Sequence, residues 1–254
     1  IAQFILYINM LTWPVASLGW VSSLIQEAEA SQKRINEFLK EEPEIKNTAT
    51  ERSIIEGNIM FDNVSFTYED TEIRALKNIS FSIQKGKTLA ILGKTGSGKS
   101  TIGKLIAGIL RLKEGNIFID DLNMKKHQKE IRDKVGIVFQ NPENQIIFNS
   151  IEDELSFALK GLSKQEVDKR INDALEKVEM LDFKNKDLYN LSLGQKQRIM
   201  IAEILAKNPK YLIFDEPTTM IDSIGKEKIY KIIKNLKQQG YTIICITNLA
   251  DEIL

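Results

Sequence analysis

The segment Gly93-Lys94-Thr95-Gly96-Ser97-Gly98-Lys99-Ser100 fits the pattern G-x-x-x-x-G-K-[ST]. An apolar run of strand length, residues 88–92, leads into it, and apolar residues at helical spacing follow it. In this context the backbone N–H groups of the loop and the positive end of the helix dipole attract phosphate. A glycine turn that only caps a helix is the alternative. The strand, loop and helix together favour a nucleoside triphosphate site.

Two side chains of this segment have specific expected roles. Lys99 would reach the β- and γ-phosphates, and Ser100 would be a ligand of Mg²⁺. We count the remaining loop residues, from Gly93 to Gly98, and the following Thr101 as further nucleotide contacts. ATP and Mg²⁺ are therefore the predicted cofactors.

A second group of chemical residues ends the apolar run 211–214. Asp215 and Glu216 come directly after this run, at the strand end where α/β sheets place their active sites. Asp215 suits Mg²⁺, and Glu216 suits the positioning of a water molecule. Taken alone, the pair would be the acidic start of a surface turn before Pro217; together with the glycine loop it predicts catalysis.

Composition excludes several other classes of function. Lys plus Arg and Asp plus Glu both number 35, so no net charge attracts nucleic acid, and we predict no nucleic-acid partner. The single cysteine, Cys245, and the single histidine, His127, can form neither an internal disulfide nor a zinc cluster.

The first part of the chain predicts a membrane segment. Residues 1–26 contain no charged side chain, and as a helix they would extend about 39 Å, against a hydrocarbon core of about 30 Å. A buried core helix and a signal peptide are the alternatives. Because Ile1 lies inside this apolar stretch, we expect the last span of a longer, multi-pass protein of the cell membrane. Residues 27–56 follow as a charged cytoplasmic linker helix, which Pro43 should end, and a polar connector.

A new domain is predicted over residues 57–254. Alternating strand patterns come first, and short apolar strands then alternate with helical segments, as in an α/β fold with a mostly parallel sheet. The polar, helix-rich interval 141–200 is interpreted as an inserted helical subdomain.

The segment Leu191-Ser192-Leu193-Gly194-Gln195 provides the next motif. Ser192 and Gln195 have the spacing of a helix capping box, which is a complete structural explanation of the pair. The order of glycine loop, Gln140, this segment and the acidic pair nevertheless resembles the ATP-binding-cassette (ABC) family over residues 57–254. The resemblance implies a P-loop NTPase fold with a RecA-like core and an antiparallel β subdomain. It also implies that ATP hydrolysis powers substrate translocation across a membrane.

The resemblance also assigns roles to single residues. Ser192, Gly194 and Gln195 resemble the segment that touches the γ-phosphate bound to a second ABC subunit, so a homo- or heterodimer is expected. Tyr68 resembles the aromatic residue that stacks on adenine, although by itself it would be an ordinary strand tyrosine. Gln140 resembles the glutamine that senses Mg²⁺ and water and couples to the membrane-embedded domain.

A further role and two departures from the family pattern follow. Asp222 resembles the aspartate that communicates between the two sites, and a helix N-terminus is its structural alternative. Leu193 replaces a glycine and is expected to weaken closure. Asn248 stands where the family has a histidine, and it cannot carry positive charge. We therefore expect ATP binding to be retained and hydrolysis to be slow.

Different parts of the chain resemble two different branches of the family. The membrane segment and linker resemble an exporter half-transporter, which is our prediction, whereas residues 140–145 and 153–157 resemble the ATPases of energy-coupling-factor importers. A soluble ABC-type ATPase and an ATP-gated dimerising module with little hydrolysis are the alternatives. The transported substrate is not identified by the sequence, and Leu254 precedes the usual end of the family's domain.

Overall fold

The computed structural model describes residues 2–40 and 58–248. The chain divides into two compact units, Ile1–Glu44 and Ile45–Leu254. The predicted helix stop at Pro43, the connector and the chain end at Leu254 lie outside the described residues.

Within residues 2–40, the first unit forms one helix, α1 (Ala2–Lys40), with Pro14 inside it. In the part of the chain that the structure describes, no helix combines the length and apolarity needed to cross a membrane. The span predicted over residues 1–26 is therefore not supported. That prediction rested on the absence of charge and on the length of the segment, whereas polar residues from Gln3 to Ser23 lower its mean hydropathy.

Within residues 58–248 the second unit contains two sheets, six α-helices and three short 3-10 helices, Pro142–Asn144, Leu181–Phe183 and Leu188–Asn190. In chain order its elements are β1 (Ile59–Thr67), β2 (Arg74–Ile83), β3 (Thr88–Leu92), α2 (Lys99–Ile106), β4 (Glu114–Ile119), β5 (Leu122–Asn123), α3 (Met124–Arg132), β6 (Val135–Val138), α4 (Ile151–Phe157), α5 (Lys164–Lys177), α6 (Leu193–Ala206), β7 (Tyr211–Asp215), α7 (Ser223–Gln238) and β8 (Thr242–Thr247).

One sheet is antiparallel, with the strand order β2-β1-β4-β5. Its strands alternate apolar and polar residues because one face packs on the core while the other meets solvent. Phe61 of β1 is buried and stacks on its cross-strand partner Phe81, with ring centroids 4.4 Å apart. The antiparallel β part expected from the resemblance is thus confirmed.

The other sheet is parallel, with the strand order β3-β8-β7-β6. Every residue of β7 and β8 is buried, as expected for central strands that are covered on both faces. The predicted α/β fold with a mostly parallel central sheet is confirmed. Because all four strands point the same way, the loops after them emerge at one edge.

Two apolar clusters hold these layers together. In the first, α2 packs Leu105 and Ile106 between the two sheets. In the second, α4, α5, α6 and α7 pack on the parallel sheet around Ile199 and Phe214. Helices α4 and α5 and the first half of α6 occupy the interval predicted as a helical subdomain, 141–200, and they fix the position of the segment that begins at Ser192.

Candidate active site

The glycine loop joins β3 to α2 through backbone conformations that require glycine. Gly98 is the N-cap of α2 with φ +87°, and a side chain there would collide with the carbonyl oxygen of Ala75. Gly96 also has a positive φ, +83°. Since Gly98 offers no side chain to cap α2, the first N–H groups of this helix remain suited to an anion.

Lys99 lies across the mouth of this loop. Its Nζ donates to the carbonyl oxygens of Gly93, at 2.5 Å, and Lys94, at 2.9 Å. The same atom is 3.7 Å from Oε1 of Glu216, and the lysine is only 6% exposed. The nearly buried ammonium group of Lys99 thus lies between the glycine loop and the carboxylate of Glu216.

Ser100 and Asp215 meet beside this lysine. The Ser100 hydroxyl donates a 2.9 Å hydrogen bond to Oδ1 of Asp215, the last residue of β7. Burial raises the pKa of Asp215, and the neighbouring charge of Glu216 raises it further, although the bond from Ser100 opposes both. A hydroxyl and a carboxylate so placed are the hard oxygen donors that Mg²⁺ prefers.

Glu216 is held in an unusual backbone conformation. Its φ is +48°, a left-handed value that is uncommon for a residue other than glycine. Its N–H donates to the carbonyl of Ile246 at 2.9 Å, and its Oε2 accepts from the hydroxyl of Thr219 at 3.2 Å. Such outliers persist where the surroundings fix them, often at functional sites. We did not predict Thr219 from the sequence; its only signal is a hydroxyl three residues after the acid.

The strand register explains why distant candidates share one edge. Leu92 pairs with Thr247, Asp215 with Ile246, and Phe214 with Val138. Gly93, Asn248, Glu216 and Gln140 therefore follow four adjacent strands at the same edge of the sheet. In this edge Asn248 is exposed and Gln140 is half-buried.

Tyr68 is connected to the start of α2. Its hydroxyl shares a 3.0 Å hydrogen bond with the hydroxyl of Thr101, and its ring meets Phe66 edge-on at 5.0 Å. Tyr68 and Thr101, which were each predicted to contact the nucleotide, are thus in contact with each other, and stacking on adenine stays a prediction.

The segment at Ser192 is separate from this cluster. Ser192 caps α6, and its side chain accepts from the N–H of Gln195 while Gln195 accepts from the N–H of Ser192, so the predicted capping box is present. Within the described residues, no hydrogen bond or ion pair joins this segment to the glycine loop. Gly194 is buried, Leu193 is half-exposed, and Asp222 is the N-cap of α7 without a side-chain capping bond.

Helix α6 is tied to the residues around Gln140 by contacts that sequence patterns did not reveal. Gln197 donates to the carbonyl of Phe139 at 2.9 Å, and Lys196 pairs with Glu143 at 2.7 Å. Both partners are more than fifty positions away, so no local pattern could indicate them. The helix that begins at Ser192 and the segment after β6 are therefore mechanically linked.

No cluster of three or more metal-ligating His, Cys, Asp or Glu side chains occurs among residues 2–40 and 58–248. Mg²⁺ in phosphoryl-transfer sites takes one or two carboxylates together with substrate phosphates, so Ser100 and Asp215 still fit this ion. The cradle of positive-φ glycines and the buried Lys99 likewise fit a triphosphate.

Comparison with known proteins identifies matches to this arrangement. The family described as ABC transporter matches residues 76–219. The energy-coupling factor transporter ATP-binding protein EcfA1 of Fusobacterium nucleatum subsp. nucleatum is 44% identical over 200 residues, covering 77% of this chain and 75% of that protein.

Two solved structures are also similar. The dimeric, post-hydrolysis structure of the ATP-binding cassette MJ0796 with ADP and Pi has a TM-score of 0.68 at 34% identity, covering 76% of this chain and 89% of that one. A bacterial Atm1-family ABC exporter with ATP bound has a TM-score of 0.73 at 26% identity, covering 96% of this chain and 44% of that one.

Proposed function

This chain belongs to the ABC transporter family, and from that premise we propose that its ATPase works as the energy-coupling-type subunit of a membrane importer. That it is an ABC ATPase which binds and hydrolyses ATP to power transport follows from the family. The observation that carries the site assignment is the convergence of Lys99, Ser100, Asp215 and Glu216 at the carboxyl edge of the parallel sheet.

The residues divide the chemistry of phosphoryl transfer among them. Lys99, which donates to two loop carbonyls, would exchange these for β- and γ-phosphate oxygens, and the free N–H groups of α2 would receive the phosphates. Ser100 and Asp215 would hold Mg²⁺, which neutralises the charge on the phosphates when bound. Glu216, fixed by Thr219 and by its backbone bond to Ile246, would orient the attacking water.

A second ABC subunit would complete the site. Within the described residues, no hydrogen bond or ion pair joins the Ser192 segment to the glycine loop, yet the segment presents a helix N-terminus suited to an anion. A similar cassette is dimeric in its post-hydrolysis state. We therefore assign Ser192, Gly194 and Gln195 to the γ-phosphate of the partner, and the Gln140 segment, held by α6, to coupling with a membrane protein.

Two residues set the expected rate. Leu193 would crowd the closing interface, and Asn248 supplies at most a neutral donor beside Glu216. Slow hydrolysis with retained ATP binding is the consequence. If hydrolysis is very slow, the same residue roles describe a dimer that ATP binding closes but that hydrolyses little ATP.

An exporter-type ATPase is the second candidate, because one observation favours it. The similarity to the Atm1-family exporter extends over 96% of this chain, whereas the relatives of energy-coupling type match about three quarters of it. We rank it second because the identity over the matched residues is 26% for the exporter and 44% for the energy-coupling relative.

The core assignment is tested by phosphate release and ATP binding as functions of protein concentration. A dimeric site predicts that release rises more than linearly with protein and that ATP shifts the chain to a dimer. Tight ATP binding without phosphate release would indicate an ATP-gated dimer with little hydrolysis. A chain that binds no ATP would overturn the proposed function.

The two transport candidates are separated by expression of the full-length gene product with and without co-expressed membrane proteins. An energy-coupling subunit should reach the membrane fraction only when a membrane protein accompanies it. Recovery in membranes without a partner would favour the exporter.

A further inference from the structure

A cleft of about 650 Å³ opens beside the start of β6, away from the glycine loop. One acidic and five cationic side chains line it: Asp133 after α3, Lys129 and Arg132 on α3, Lys160 after α4, Arg170 on α5 and Lys207 after α6. Since acidic and basic residues are equal in number over the whole chain, the excess of positive charge here is local.

The cations of this cationic cleft are only partly neutralised. Arg170 pairs with Glu166 at 2.7 Å, and Lys207 pairs with Glu203 at 3.8 Å. Burial raises the pKa of Glu203 to about 7, so at neutral pH this partner carries only part of its charge. Within the described residues, neither Lys129 nor Arg132 forms an ion pair with a carboxylate.

The framework of the cleft is well defined. The stem of Arg132 packs on Gly108, where a side chain would come within 2.7 Å of its Cγ. The floor is apolar and tight, because a side chain at Gly136 would collide with Ile204 of α6. Arg170 is half-buried and the other four cationic side chains are exposed, while packing fixes the stem of Arg132 and the floor of the cleft.

The cleft lies at the opposite edge of the parallel sheet from the proposed active site. Val135, the first residue of β6, lines the cleft, whereas Gln140 follows the other end of this strand. Because β6 runs parallel to β3, the glycine loop also lies at that other end. An anion bound in the cleft would thus occupy a different site from the nucleotide.

We propose that the cationic cleft is a second anion site, which binds a small polyphosphorylated molecule. Arg132 and Arg170 offer planar guanidinium groups that can grip a phosphate through two hydrogen bonds, and the lysines add point charges. The volume lies in the range of small-molecule sites. A ligand held by both arginines ties α3, beside the parallel sheet, to α5 of the helical part.

The test is calorimetric titration of the full chain with inorganic tripolyphosphate, with the glycine loop saturated by a non-hydrolysable ATP analogue. The wild type should bind one tripolyphosphate per chain. The double variant Lys129→Ala, Arg132→Ala should weaken this binding at least tenfold, and Lys160→Gln, on a separate element, should weaken it at least threefold. The matched control, Lys126→Ala with Lys237→Ala, removes two exposed lysines outside the cleft and should change it less than twofold.

Several outcomes would overturn the proposal. These are no binding to the nucleotide-loaded wild type, or an equal loss in the control variant. Citrate binding as tightly as tripolyphosphate would contradict the phosphate assignment. If the double variant melts at a lower temperature than the wild type, Lys160→Gln alone decides, and its unchanged affinity would reject the site.

Discussion

The hydroxyl of Ser100 donates a 2.9 Å hydrogen bond to Oδ1 of Asp215, which joins the start of α2 to the end of β7 across 115 positions of sequence. Neither residue alone defines a metal site, because one is a helix serine and the other a strand-end acid. Their contact places both oxygen donors on the side of the glycine loop where Lys99 lies, and it is the basis of the first prediction.

Asp215→Asn should remove the dependence of ATP affinity on Mg²⁺. The amide oxygen can still accept from Ser100, so the local structure should persist, but the negative charge that attracts the cation is lost. We expect MgATP affinity to fall about tenfold or more, to the value measured in EDTA. Titrations with and without Mg²⁺ check this, and the wild type in EDTA is the internal control. A variant that still gained affinity from Mg²⁺ would contradict the assignment.

Glu216→Gln should separate ATP binding from turnover. The glutamine keeps the size of the side chain and can still accept from Thr219, but it cannot take a proton from water. Phosphate release should drop on the order of a hundredfold or more, while ATP affinity stays within about threefold. The exposed Glu176 of α5 supplies the control, since Glu176→Gln should leave both quantities unchanged. Undiminished release would remove Glu216 from the mechanism.

Asn248→His should accelerate hydrolysis. Asn248 directly follows β8, and Ile246 of that strand accepts the backbone N–H of Glu216, so a histidine here would lie beside the catalytic acid. Loss of one donor to the transition state costs on the order of a hundredfold or more. Steady-state phosphate release measures the effect, and Asn248→Ala should be no faster than the wild type. An asparagine enzyme equal to or faster than the histidine variant would end this explanation of slow turnover.

Much of the fold could be predicted because apolar runs become buried parallel strands. The run 88–92 is β3, and the run 211–214 is β7 up to its penultimate residue. Because these strands are parallel, Gly93 and Asp215 lie at the same edge of the sheet, and the sequence pattern is enough to predict this. The left-handed φ of Glu216 and the bond from Gln197 to Phe139 could not be predicted, since they depend on tertiary packing. The membrane span was predicted from missing charge and from helix length, neither of which measures apolarity.

Tyr68→Ala should weaken ATP binding, whereas Tyr68→Phe should not. The phenylalanine keeps the ring and loses only the bond to Thr101, so it isolates the hydroxyl. A base on an aromatic ring gains about 1 to 3 kcal/mol, so the alanine variant should bind ATP roughly 5- to 150-fold more weakly. Equal ATP affinity of the alanine variant and the wild type would exclude stacking.

Glu203 of α6 gives the protein a stability that depends on pH. Burial raises its pKa from 4.5 to about 7, and the charge of Glu154 adds to this, while Lys207, at 3.8 Å, opposes it. The folded state therefore keeps a proton that the unfolded chain releases. By linkage, the contribution of Glu203 to the free energy of unfolding falls as pH rises from about 4.5 to about 7, and it is constant above.

Glu203→Gln, which resembles the protonated acid, should remove this loss. Its stability relative to the wild type should increase between pH 5 and pH 7.5, reaching about 1 to 3 kcal/mol, because each pKa unit corresponds to about 1.4 kcal/mol. Denaturant unfolding at several pH values measures the difference. Glu176→Gln should give the same small difference at every pH. If the stability difference between Glu203→Gln and the wild type did not change with pH, or shrank as pH rose, the pKa of Glu203 in the folded protein would not be raised.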